Sequence, residues 1–239
     1  MSTVLVAGAT GATGTVLVPH LRAKGFDVIP HVRPKTAPHH AFGKDPRALI
    51  VDLADAQALD AAMSRAQAVV CLVGTMRRRF AAGDTYESSD YRPVVLLSES
   101  ARRAPSAGPR HFVLLSALGA RQGMGYLGWK FKAEEVVRKS ALPHTILRPS
   151  FLDTTGSGAL PSNGMQRKPP PLVGGVLQLL GLIPALHGLS DDLRPIPVQV
   201  LCAAIARILR DRAPLGVVHG RQLWAAAAAT AQAAPAPGR

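Results

Sequence analysis

The sequence predicts an α/β protein built on a doubly wound parallel sheet. Three observations carry this. Short β-branched runs alternate with longer helical patterns through the first 150 of 239 residues. The short runs are continuously apolar, as strands are when both sheet faces are covered. Finally, a glycine-rich turn stands directly between the first run and the first helical pattern.

The strand candidates are Thr3–Ala7, Val28–Val32, Ala48–Val51, Ala68–Val73, His111–Ser116 and His144–Arg148. Between them, Thr13–Lys24, Asp55–Arg65, Thr85–Arg103 and Tyr126–Ser140 read as helices. Strand–helix–strand repetition implies right-handed crossovers and a parallel sheet. After Pro149 the alternation stops. Residues 153–171 are rich in Gly, Ser, Thr and Pro and read as a loop. The apolar stretch 172–189 follows, then Arg194-Pro195-Ile196-Pro197-Val198. A last helix has apolar positions Val200, Leu201, Ala204, Ile205, Ile208 and Leu209. We therefore expect one domain over residues 1–224, a substrate cap near 151–195, and an Ala/Pro tail without structure over 225–239.

Composition narrows the class. A chain that is 47% hydrophobic and 18% charged is too apolar for disorder and too polar for a membrane bundle. Aromatics are 5%, so the core is expected to be aliphatic. The net charge of +13 raises nucleic acid, an anionic membrane or a phosphorylated ligand. The basic residues are spread out, and only Arg77-Arg78-Arg79 forms a run. No aromatics are interleaved with it, which argues against nucleic acid and for a solvated loop or an anion-contacting edge of the substrate pocket. Cys71 and Cys202 lie in apolar runs and read as buried free thiols of a reducing compartment. The N-terminus shows no signal-peptide pattern, and 172–189 holds too many polar and helix-breaking residues for a membrane span. A cytoplasmic protein is expected, with peripheral membrane contact through 172–189 as the lesser alternative. Histidine spacing gives no metal site.

The turn Gly8-Ala9-Thr10-Gly11-Ala12-Thr13-Gly14 places three glycines at spacing three after a strand. The first permits a tight turn, the second lets backbone approach a pyrophosphate, and the third lets the helix pack on the strand. The phosphate would sit at the positive helix end, with Thr10 and Thr13 adding hydroxyls. This is a dinucleotide site in its expected context. NAD-specific sites place an acid at the end of the second strand; here Arg33 stands there. A guanidinium can clamp a 2′-phosphate, so NADP (as NADPH) is expected over NAD.

With these residues in hand, the chain resembles the atypical branch of the short-chain dehydrogenase/reductase superfamily, whose cofactor domain is Rossmann-like. The matches continue with Asp52-Leu53, Cys71-Leu72-Val73-Gly74-Thr75, Leu115 to Ala120, Tyr126 to Lys130 and Thr145 to Pro149, in order. Gly74-Thr75, Asp90-Tyr91 and Arg194 to Val198 resemble, more narrowly, the Tat-interacting-protein-like oxidoreductases. By that resemblance Asp52 and Leu53 line an adenine. Val73, Gly74 and Thr75 pass under ribose and phosphates. Arg148, Pro149 and Ser150 border a nicotinamide.

Reductases of the superfamily use a Tyr and a Lys four apart on one helical face, with a Ser from the fifth strand. Tyr126 and Lys130 have that spacing, and Lys130 would also hold the cofactor ribose. Ser116 is the candidate serine. It lies ten residues before Tyr126, and Ala117 stands where a second serine often does. Two readings stay open: an NADPH-dependent reductase of a small carbonyl substrate, or an NADPH-binding regulatory protein without turnover.

Overall fold

The computed structural model describes residues 2–74, 83–105, 108–155, 191–213 and 215–232. The strands β1 (Thr3–Ala7), β2 (Asp27–Val32), β3 (Leu49–Ile50), β4 (Ala68–Cys71), β5 (Phe112–Leu115) and β6 (His144–Arg148) all fall at the predicted places. A seventh strand of this sheet, β9 (Gly216–His219), was not foreseen. The order is β3-β2-β1-β4-β5-β6-β9, parallel at every pairing. A separate two-stranded pair joins β7 (Leu152–Asp153) to β8 (Ile196–Pro197).

Strand side chains alternate between two packed layers, because successive Cβ atoms point to opposite sheet faces. Val4, Val6, Val70, Val113 and Leu147 meet α1 (Gly14–Ala23) and α5 (Val198–Asp211). Leu5, Ala7, Val69, Phe112, Leu114 and Ile146 meet α2 (Ala56–Met63), α3 (Arg92–Arg103) and α4 (Gly125–Lys139). Both cysteines are buried free thiols, one in each layer. Among the described residues no helix is long and apolar enough to cross a membrane.

Two expectations need correction. Residues 225–232 are not tail but the C-terminal part of α6 (Gly220–Gln232). Alanine is the strongest helix former, and Leu223 and Trp224 pack that helix onto the core, so the composition misled. The helix expected from Thr85 is also interrupted. A π-helical turn, Glu87–Tyr91, precedes α3, which starts with Pro93 in its first turn. Proline restricts its predecessor and suits a helix start, so regular α-helix begins there. The expected loop 153–171 and the stretch 172–189 lie almost wholly outside the described residues.

Candidate functional site

The order β2-β1-β4 reverses the direction of winding between β1 and β4. Ligands of open parallel sheets bind beyond the strand ends at this switch point. A cleft of about 680 Å³ opens there. The glycine turn forms its floor. Gly8 has φ +84°, and a Cβ on it would lie 3.0 Å from the backbone of Leu72 and Val73. A Cβ on Gly14 would fall 2.3 Å from the Gly8 carbonyl oxygen, so α1 can reach the turn only with glycine here. Gly11 differs: its Cβ would meet only the Gly8 oxygen, at 3.3 Å, and the residue lines the cleft. The turn is held by the Gly11 amide donating to Gly8 and by the Thr15 hydroxyl donating to Gly11. The Ala12 and Thr13 amides find no acceptor among the described residues, and the Thr13 hydroxyl caps no backbone. Free amides at a positive helix end, beside a residue lacking a side chain, fit a pyrophosphate.

At the end of β2 the cleft is lined by His31, Arg33 and Lys35, with Asp52 and Leu53 across from them at the end of β3. Burial holds the His31 pKa below its ordinary value, and neighbouring Arg33 lowers it further. The neutral ring donates from Nε2 to the Val51 carbonyl at 3.0 Å. The Asp52 carboxylate accepts from the Ala54 amide at 2.9 Å. Lys35 was not singled out from the sequence. Its signal was there: a second cation two residues past Arg33.

Tyr126 and Lys130 line the other end of the cleft, with Ser116 and Ala117. The Lys130 Nζ lies 5.7 Å from the Tyr126 ring centre and 2.9 Å from the Asp90 carboxylate, and donates to the Leu115 carbonyl at 3.3 Å. The Asp90 side chain is fully buried and that of Lys130 nearly so. Burial opposes the ammonium charge, but Tyr126 and Asp90 outweigh it and raise the Lys130 pKa above the usual value. The wide π-helical turn delivers Asp90 to this place, as such turns often do at functional sites. Gly74 makes room for the pair. A Cβ there would lie 2.8 Å from Asp90 Oδ1 and 3.2 Å from Lys130 Nζ.

Ser116 and Arg148 are arranged otherwise than expected. The Ser116 hydroxyl donates to Glu134 Oε1 at 2.5 Å, not into the cleft. Arg148 does not line the cleft; its guanidinium forks onto the same carboxylate, at 2.8 and 2.6 Å. A buried acid on α4 must be neutralised, and the nearest strand-end arginine serves. Arg138 adds a third contact, at 2.8 Å. Pro149 and Ser150 do line the cleft, as does Val73. Thr75, Arg77-Arg78-Arg79 and 172–189 lie outside the described residues. Asp90 and Glu134 were missed as site residues, because the pattern of a helix face does not show which acid points inward.

A doubly wound sheet, a glycine turn at its switch point and a Tyr–Lys pair at the cleft's far end are the features of a nucleotide-cofactor-binding fold. A family model described as NAD(P)H-binding matches residues 8–169, and the chain belongs to that family. It is 29% identical over 177 residues to the chloroplastic protein TIC 62 of Pisum sativum, matching 63% of this chain and 33% of that one. It is 30% identical over 169 residues to an uncharacterized chloroplastic protein of Arabidopsis thaliana, matching 62% of this chain and 59% of that one. The chain thus spans a third of the first relative's length and less than two thirds of the second's. A solved short-chain dehydrogenase/reductase superfamily protein of Agrobacterium tumefaciens, with bound NAD, superposes with a TM-score of 0.60 at 19% identity. That match covers 90% of this chain and 76% of the other, and it speaks for the fold alone.

Proposed function

We propose that the protein is an NADPH-dependent reductase acting on a small carbonyl substrate. The observation that carries this reading is the Lys130 ammonium, buried against Asp90 and facing Tyr126 in a cleft whose opposite end presents Arg33 and Lys35. Gly8, Thr10, Gly11, Ala12, Thr13 and Gly14 would hold the pyrophosphate, and Arg33 with Lys35 a 2′-phosphate. Asp52 and Leu53 would border the adenine; Val73, Gly74, Lys130 and Pro149 would flank the nicotinamide riboside. When bound, the cofactor supplies a hydride to the carbonyl carbon.

The chain's own part is the proton. The Tyr126 hydroxyl delivers it to the developing alkoxide. The Lys130 ammonium, one helical turn away, balances the charge left on the tyrosine oxygen. Asp90 keeps that ammonium charged and fixed. Cytoplasmic residence suits the two free buried thiols. A regulatory protein that binds NADPH without turnover is the second reading, favoured by the Ser116 hydroxyl being directed to Glu134.

The test is NADPH oxidation against a panel of aldehydes, ketones and quinones. We expect turnover, and a loss of about 10²- to 10⁴-fold in Tyr126→Phe with cofactor affinity retained. NADPH binding without any turnover above buffer would leave the regulatory reading. Full activity in Tyr126→Phe would remove the tyrosine from its role.

A further inference from the structure

Ser116 lines the same cleft as Tyr126, yet its one proton is spoken for. A serine hydroxyl has one O–H and two lone pairs. The Ser116 Oγ lies 2.5 Å from Glu134 Oε1, and the Glu134 side chain is fully buried. The same carboxylate receives Arg148 through two nitrogens and Arg138 through a third. A carboxylate clamped by two guanidiniums accepts hydrogen bonds and donates none, so the shared proton is the serine's. Turning that proton toward the cleft would strip a donor from a buried charged oxygen, which is costly.

Other donors at this corner are committed or assigned elsewhere. The Ser116 amide donates to the Leu147 carbonyl, and Ala117 brings no polar side-chain atom. Lys130 Nζ gives two of its three N–H groups to Asp90 and the Leu115 carbonyl, and in the proposed function the third faces the cofactor ribose and the Tyr126 oxygen. Among the described residues, and with Lys130 given to the cofactor, the corner offers a substrate the Tyr126 hydroxyl as side-chain donor and the lone pairs of Ser116 as acceptor. A bare carbonyl oxygen placed between them gains from the tyrosine and is repelled by the serine.

We infer that Ser116 works toward the cleft as a hydrogen-bond acceptor, and that the substrate is a carbonyl compound with an O–H or N–H donor on the adjacent carbon. α-Hydroxy and α-amino ketones and aldehydes are the class this selects. The inference rests on the reading of this cleft as the substrate site.

The experiment compares hydroxyacetone with methoxyacetone, which carry the same carbonyl with and without the donor. Both are titrated by ligand-observed NMR into the NADP⁺-loaded protein, so the readout does not depend on turnover. Hydroxyacetone should bind roughly 3- to 10-fold more tightly, the ratio one net hydrogen bond supports. Ser116→Ala should erase that preference while leaving NADP⁺ affinity unchanged; the variant keeps both guanidiniums on Glu134. Equal affinities in the unmutated protein, or a preference that survives Ser116→Ala, would overturn the inference. So would a loss of NADP⁺ affinity in Ser116→Ala, which would assign the lone pairs to the cofactor. Failure to reduce either ketone, with the binding preference intact, would support the acceptor role and count against the reductase reading alone.

Discussion

Single side chains decide the cofactor end of the cleft. Arg33 is half-buried and Lys35 exposed, and both line the pocket where a ribose 2′ substituent would sit. No acid occupies the end of β2 to accept from a ribose hydroxyl, and the neutral His31 leaves the local charge positive. A charge-assisted pair with a 2′-phosphate contributes about 1.5–3 kcal/mol. NADPH should therefore bind roughly 10- to 150-fold more tightly than NADH. Arg33→Ala should narrow that ratio, with Lys35 preserving part of it. Fluorescence titration of both cofactors checks this, and equal affinities in the unmutated protein would refute the assignment. The far end of the cleft resists so simple a dissection. Removing Asp90 outright would leave a buried ammonium unpaired, which commonly costs 3–5 kcal/mol of stability. Loss of activity in Asp90→Ala would thus confound charge with folding.

At the scale of elements, the turn between β1 and α1 separates two uses of glycine. Gly14 serves packing: a side chain there would collide with the Gly8 and Ala9 carbonyl oxygens at 2.3 and 2.5 Å. Gly11 is open toward the cleft, its one close neighbour 3.3 Å away, and in the proposed function it leaves room for the pyrophosphate. Gly11→Val should keep a native circular-dichroism spectrum and melting temperature while abolishing binding of either cofactor. Gly14→Val should instead lower the melting temperature by many degrees. Cofactor binding that persists in a folded Gly11→Val would place the phosphates elsewhere. The spacing of this turn was plain in the sequence because glycine has few substitutes where a backbone must close on itself. The π-helical turn Glu87–Tyr91 was not plain. An inserted residue changes which side chain faces inward without changing composition, and so the sequence assigned Asp90 no role, although the structure pairs it with Lys130.

Over the whole molecule, the parallel sheet was legible because every interior strand is buried on both faces and must be apolar throughout. The edge was not. β9 is four residues long, and α6 hides in an alanine-rich stretch whose anchors are Leu223 and Trp224, the latter beneath the Arg194 guanidinium at 4.1 Å. A buried polar contact also joins the residue before β5 to β6. His111 is buried, with Nε2 2.8 Å from the Thr145 hydroxyl. Burial lowers its pKa from 6.5 to about 4, with Arg212 and His144 adding to the effect. Between those two values the unfolded chain binds a proton that the folded chain refuses. Stability is therefore full above about pH 6.5 and falls as the pH drops toward 4, where the loss levels off. His31, His20 and His40 are also depressed by burial and act in the same direction. Thermal melts from pH 8 to pH 4 should show this decline in the unmutated protein. His111→Asn keeps a polar partner for Thr145 but cannot titrate. It should start less stable at pH 8, and the gap between the two proteins should shrink as the pH falls. A gap that stays constant across the range would mean that His111 carries no part of the acid sensitivity.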